Sequence, residues 1–195
     1  MAKSDPSSQK KERNKTIRWV ITIFLVTIVV SGMISMVSDR IMAASNMPVA
    51  FLILLAIVLI GIVFDIIGVA VTSADEKPFH SMAARKVPGA QEAIALLRNA
   101  ERVSSICNDV VGDICGVISG SASATIAAQI LSDFEFRIPQ LITLAMSALA
   151  AGLTVGGKAV GKGFAVDSCV AIVHFVGRMV YTLKRMPVTL RKKKN

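Results

Sequence analysis

Aromatic and charged residues are scarce in this 195-residue chain, where they make up 5% and 18% of the sequence. Apolar residues make up 53%, and the mean hydropathy is +0.63. This balance excludes a disordered chain and disfavours a water-soluble globule. The three cysteines, Cys107, Cys115 and Cys169, are odd in number and lie in or beside apolar segments. They therefore do not form the disulfide framework of a secreted protein.

Acidic residues are also few, 13 against 22 lysines and arginines. The basic excess is concentrated at the two ends of the chain, with six basic residues in 1–18 and seven in 178–195. It forms no interior patch with interleaved aromatics, which a nucleic-acid surface would need. The sequence therefore predicts no nucleic-acid partner. It predicts that the basic ends bind membrane lipids through their anionic head groups.

Four mainly apolar stretches without a formal charge reach the length of about 20 residues that a membrane-spanning helix needs. They cover residues 19–38, 41–64, 114–132 and 138–157. They predict an all-α integral membrane protein with four transmembrane helices and additional amphipathic juxtamembrane helices. The predicted spans cover about residues 17–38, 47–72, 103–132 and 138–160.

Two amphipathic segments are predicted beside these spans. Residues 88–102 mix apolar with charged side chains, as is typical of a short helix on a membrane surface. Residues 167–185 have the same character, and Pro187 is expected to end that helix. The predicted organisation is a disordered cytoplasmic N-terminus (1–15), a four-helix transmembrane domain (16–163), and an amphipathic juxtamembrane helix with a basic tail (164–195).

Lysine and arginine are distributed unequally among the segments between the predicted spans. If the chain begins inside and crosses four times, 20 basic residues lie inside and two, Arg40 and Arg137, lie outside. Cytoplasmic loops carry the excess of basic residues. The sequence therefore predicts an integral protein of the plasma (inner) membrane with both termini in the cytoplasm.

Three acidic residues, Asp65, Asp109 and Asp113, lie within the predicted spans. A charge inside a spanning helix is costly and commonly marks a functional site. Asp109 and Asp113 are four residues apart and hence on one helix face. At 1.5 Å per residue, all three acids are expected about 10–15 Å from the same membrane surface. Asn108 and two neighbouring serines add further oxygen atoms.

Oxygen ligands without convergent histidine or cysteine are typical of a hard-cation site, for Mg²⁺ or Ca²⁺ rather than Zn²⁺. The predicted metal ligands are Asp65, Asn108, Asp109 and Asp113. Lys158, at a similar depth in the fourth span, allows a second interpretation. Its ammonium would neutralise one or two of the aspartates in a purely structural network. The residues alone leave both interpretations open.

Small residues recur every four positions in the last two spans, a spacing that lets helix backbones approach closely within the chain or across a dimer. No nucleophile–base pair and no metal-ligand trio with an open water position is found in the sequence, so we expect no enzymatic activity. The predicted helix-packing residues are Gly112, Gly116, Gly120, Gly152 and Gly156.

Three segments, taken in order, resemble the transmembrane domain of the CNNM/CorC family of magnesium transporters. Gly61–Ala84 is similar to the first membrane helix of that family. Gln91–Asp113 is similar to its amphipathic helix, which leads into a span with two polar residues four apart. Gly157–Ala165 resembles the end of its last span, which a juxtamembrane helix follows.

The resemblance implies a three-span core that binds dehydrated Mg²⁺ between its helices and forms a homodimer, preceded here by one extra span. It places Asp65 near a serine of the family, and Asp109 and Asp113 near its two asparagines. Lys158 stands where the family has glutamate. The family's cytosolic CBS pair is not in this sequence, so a separate protein subunit is the expected source of regulation.

Two functions are therefore predicted. The first is a divalent-cation transporter or channel, for Mg²⁺, with the four ligands named above. The alternative is a non-transporting membrane scaffold or partner subunit, in which an internal Lys–Asp network takes the place of the ion.

Overall fold

The computed structural model describes residues 6–43, 45–133 and 138–192, with side chains described from 17 to 185 except at 39, 43, 44 and 134–137. Within these ranges all regular structure is helical. The elements are α1 (Pro6–Ala43), α2 (Met47–Ser73), α3 (Lys77–Ala84), α4 (Ala90–Leu97), α5 (Ala100–Ser104), a π-helical segment (Ser105–Val111), α6 (Gly112–Asp133), α7 (Pro139–Asp167) and α8 (Cys169–Lys192).

The predicted fold class, an all-α membrane protein with four spanning helices, is confirmed. Four helical stretches are long and apolar enough to cross a membrane: Ile17–Met42, Met47–Ser73, Ala100–Asp133 and Pro139–Asp167. The bounds of the second stretch agree with the predicted span within one residue. The other three stretches extend beyond their predicted ends, because a helix continues until its backbone is capped or broken and does not stop where its sequence becomes polar.

Three predicted boundaries differ from the structure. Helix α1 begins at Pro6, within the segment predicted to be disordered, and proline is well suited to a first helical position. The amphipathic segment 88–102 is divided, because α4 ends at Leu97 and the third spanning stretch already begins at Ala100. Helix α8 continues past Pro187 to Lys192, since an interior proline, which removes one hydrogen bond and crowds the carbonyl four residues before it, can kink a helix without ending it. Residues 1–5 and 193–195 lie outside the described residues.

A core of three helices, α2, α6 and α7, is formed by mutual packing of each pair. Helix α1 lies outside this core, mainly against α6. One buried apolar cluster joins α1, α2 and α6. A second joins the other end of α2 to the end of α7 and to the helices α3, α4 and α8, and this end is called here the α8 end of the bundle. The first cluster contains Met42, Ala50, Leu54, Val58, Ala122 and Ile126.

Four of the five glycines predicted to pack helices together make no close approach to another helix in the part of the chain that the structure describes. A Cβ atom added to Gly116, Gly120, Gly152 or Gly156 would meet no atom within 4 Å among the described residues. These glycines lie on faces of α6 and α7 that point away from the core.

Other glycines make the close approaches. A Cβ atom on Gly61 would come within 2.9 Å of Cys115 Cβ, and one on Gly161 within 2.9 Å of Ile66 Cγ1. Gly157 receives the side chain of Ile62 in the same way. The isoleucines are four residues apart on α2, as are the glycines on α7. The isoleucine side chains of α2 therefore pack into the space that the glycines leave on α7.

Gly61→Ala is expected to destabilise the protein by about 1–3 kcal/mol, because the new methyl group meets a Cβ atom fixed to the backbone of α6. Gly32→Ala, at an exposed position of α1, is the matched control. It should be neutral or slightly stabilising, since its added methyl group enters open space and alanine favours the helix. Thermal unfolding of both variants in the same bilayer measures the difference. Equal melting temperatures would contradict this packing.

Candidate functional site

Asp65 and Lys158 form an ion pair inside the three-helix core. Lys158 Nζ lies 3.8 Å from Asp65 Oδ1, and the two side chains are 21% and 6% exposed. Asp65 stands eight residues before the end of α2 and Lys158 nine before the end of α7. At 1.5 Å per residue, both lie about 12–14 Å from the α8 end of their helices. The two charges therefore meet at the same depth.

Asn108 reaches the same space from the π-helical segment. Its Nδ2 donates a hydrogen bond to Ser104 Oγ at 3.2 Å. Its carboxamide lies directly over Gly68, where a Cβ atom would overlap Asn108 Oδ1 and come within 2.7 Å of Cγ. Gly68 lies three residues after Asp65 and hence on the same side of α2. The absence of a side chain at Gly68 is therefore what lets this amide approach the helix that carries Asp65.

Lys158 reaches this region from α7, the third helix of the core. Its Nζ atom lies 3.2 Å from the point where a Cβ atom on Gly112 would stand, four residues beyond Asn108. Of the predicted packing glycines, Gly112 is the one that another described residue approaches closely, and the approaching group is the ammonium of Lys158. The three polar side chains Asp65, Asn108 and Lys158 thus line one region between α2, the π-helical segment with α6, and α7.

Two buried oxygen atoms in this region have no hydrogen-bond partner among the described residues. They are Asp65 Oδ2 and Asn108 Oδ1. A buried acceptor without a partner costs free energy, and more so when it carries charge. Both atoms are hard oxygen acceptors, so the region can accept a cation or a hydrogen-bond donor.

Asp109 and Asp113 do not share this region in the described chain. Both side chains are exposed, Asp109 on the π-helical segment and Asp113 on the first turn of α6. Asp109 Oδ2 accepts a hydrogen bond of 2.9 Å from Ser105 Oγ. Among the described residues, no three histidine, cysteine or acidic side chains form a group that could hold a metal ion. Of the four predicted ligands, the structure brings together Asp65 and Asn108 only.

Sequence reasoning missed the close approach of Asn108 to Gly68 and the π-helical segment. A π-helical turn holds more residues than an α-helical turn, so it rotates all residues that follow relative to those before it. This rotation decides which of the adjacent Asn108 and Asp109 points inward. The sequence carried no signal for the inward face, because Ser104 and Asn108 have the same spacing as Ser105 and Asp109, and the side chains of both pairs are hydrogen-bonded.

No protein-family model matches the sequence, and no curated protein matches it. The resemblance to the CNNM/CorC transmembrane domain therefore stays a prediction based on the three segments that carry it.

Proposed function

We propose that this membrane protein is a carrier or channel for a divalent cation, Mg²⁺, that is bound by Asp65 and Asn108. The observation that carries the proposal is the pair of buried oxygens without a partner, Asp65 Oδ2 and Asn108 Oδ1, in one region of the core. In a membrane interior such groups are costly and commonly mark an ion pathway.

The donor set suits Mg²⁺ as the cargo. Mg²⁺ prefers six oxygens, gives up water reluctantly, and is usually bound by one or two carboxylates with several waters retained. One carboxylate, one amide oxygen and the hydroxyl of Ser104, to which the Asn108 amide is bonded, match that preference. Asp109 and Asp113, whose side chains are exposed, are not part of this minimal set.

Lys158 is proposed to act as an internal competitor of the cation. Its ammonium already neutralises Asp65, so a divalent ion can bind the carboxylate only as the ammonium moves away. The partial exposure of the lysine side chain and its long flexible stem permit that movement. Ion concentration gradient and membrane potential would drive the flux.

The scaffold function is the second candidate, and the same ion pair supports it. An ammonium fixed beside Asp65 compensates the buried carboxylate without any ion, and such pairs hold helices in register. In that case Lys158 never leaves Asp65, and Mg²⁺ has no effect on the protein.

Binding and flux of Mg²⁺ test the proposal. Asp65→Asn and Asn108→Ala are expected to abolish both the Mg²⁺-dependent rise in melting temperature and the Mg²⁺ flux into dye-loaded proteoliposomes. Asp113→Asn, which alters an exposed carboxylate, is the control and should retain both. Loss of Mg²⁺ binding in Asp113→Asn as well would mean that Asp113 is also a ligand, as the sequence predicted. A parent protein without any response to Mg²⁺ would favour the scaffold.

We also propose that both termini lie in the cytoplasm of a plasma (inner) membrane protein. The support is the distribution of basic residues, which favours the α8 end on the inside. Single cysteines in a cysteine-free background test it. Those replacing Ser7 and Lys193 should react with an impermeant reagent only from inside, and those replacing Ser45 and Ser132 only from outside. Outside labelling at Lys193 would reverse the orientation.

A homodimer is proposed as the assembled form, with a separate regulatory protein subunit as a further partner. The small residues of α6 and α7 that face away from the core support close contact with a second copy. The mass of the protein in detergent, measured by light scattering, would show whether two copies associate.

A further inference from the structure

Helix α8 presents three different faces along its length. One face is buried against α4, where the backbones cross at two glycines: a Cβ atom on Gly177 would come within 2.5 Å of Gly89 O. Val173 is fully buried on this face, and Lys184 Nζ lies 3.9 Å from Glu92 Oε1 at its far end. These contacts fix the rotation of α8 about its axis and so decide what its other faces present.

The second face is apolar and exposed. Phe175, Met179 and Leu183, spaced four residues apart, are 64%, 51% and 61% exposed. The third face is polar and lies beside it, with the exposed Arg178 and Thr182 between the apolar stripe and Arg185. An exposed apolar stripe flanked by basic side chains is the pattern of helices that lie in a membrane interface.

The position of α8 identifies what covers this stripe. Helix α7, which is long and apolar enough to span the membrane, ends at Asp167, and α8 begins at Cys169 after a break at Ser168 (φ −111°, ψ 19°). The last turns of α7 expose Phe164 and Val166. The apolar stripe of α8 is thus a continuation of a surface that already faces lipid.

We infer that α8 lies in the bilayer interface at the α8 end of the bundle, with Phe175, Met179 and Leu183 in the lipid. The occupant of the stripe is the surrounding membrane itself, and Arg178 binds the head groups of anionic lipids. Charge complementarity supports anionic lipid, since the exposed polar side of the stripe is basic. This inference does not depend on cation binding at Asp65.

Tryptophan fluorescence of the full chain in lipid nanodiscs tests the inference. Trp19→Phe removes the native tryptophan, and Phe175→Trp places the probe in the stripe. Lipids brominated on their acyl chains should quench this probe at least about twofold, because interfacial helices are buried about 5–10 Å into the acyl boundary. Arg185→Trp, on the polar face, is the positional control and should be quenched less. Met179→Trp replaces Phe175→Trp if that variant does not fold.

The lipid composition tests the role of Arg178. Quenching of the probe at position 175 should be stronger in discs with anionic lipid than in neutral discs, and Arg178→Gln or high salt should remove the difference. Equal quenching in both kinds of disc would overturn the recognition of anionic head groups. Absence of quenching in all discs would overturn the interfacial position and leave a soluble protein as the occupant of the stripe.

Discussion

Lys158→Ala is expected to lower the melting temperature of the protein by about 6–20 °C in the absence of Mg²⁺. The substitution removes the ammonium that lies 3.8 Å from Asp65 Oδ1 and leaves a carboxylate that is 6% exposed without a counter-charge. Removal of one partner of a buried ion pair typically costs about 3–5 kcal/mol. Thermal unfolding in nanodiscs of neutral lipid measures the loss.

Mg²⁺ should restore much of this stability if the proposed binding at Asp65 is correct. Without the competing ammonium, the cation binds more tightly, and a ligand at a hundredfold excess over its Kd stabilises the folded state by about 2.7 kcal/mol. Lys162→Ala is the matched control, four residues along the same helix and exposed. It should change neither the melting temperature nor its dependence on Mg²⁺.

The response of Lys158→Ala to Mg²⁺ separates the two candidate functions. Restoration by Mg²⁺ would mean that lysine and cation compete for one carboxylate. A large loss that Mg²⁺ leaves unchanged would contradict the carrier and support the scaffold, in which the ion pair is permanent. An unchanged melting temperature would contradict the ion pair itself, because the carboxylate would then have another compensating partner.

The membrane helices were predictable because a spanning helix must be apolar over a fixed length, whatever it packs against. The same reasoning placed Asp65 and Lys158 at one depth, since the rise per residue of a helix is constant. The depth of a residue in the membrane depends only on its position along its own helix. For that reason the sequence could suggest that Lys158 neutralises an intramembrane aspartate.

The direction in which each side chain points was not predictable in the same way. Asp109 and Asp113 are four residues apart, as a shared face requires, but in the packed bundle both side chains are exposed. Repeated glycines likewise indicate that close approach is possible without showing which of them is approached. Gly61 and Gly161 contact a neighbouring helix and Gly152 does not, because only the geometry of the assembled bundle selects among them.

The double variant Asp65→Leu/Lys158→Met is expected to melt at or above the temperature of the parent protein, and to show no response to Mg²⁺. Leucine and methionine have volumes close to those they replace and need no counter-charge. Replacement of a complete buried ion pair by apolar residues is often neutral or stabilising by about 1–4 kcal/mol, whereas each single change leaves one charge unpaired. Melting curves and Mg²⁺ flux on the same preparation measure both properties.

Retained stability makes this variant the sharpest test of where the cation binds, because a loss of flux then cannot come from unfolding. Asp109 and Asp113 remain intact in the variant, so continued Mg²⁺ flux would assign the ions to those exposed carboxylates and contradict a site at Asp65. A double variant less stable than both single variants would contradict the pairing of Asp65 with Lys158. A stable and inactive protein would mean that the buried carboxylate is needed for the ion and not for the fold.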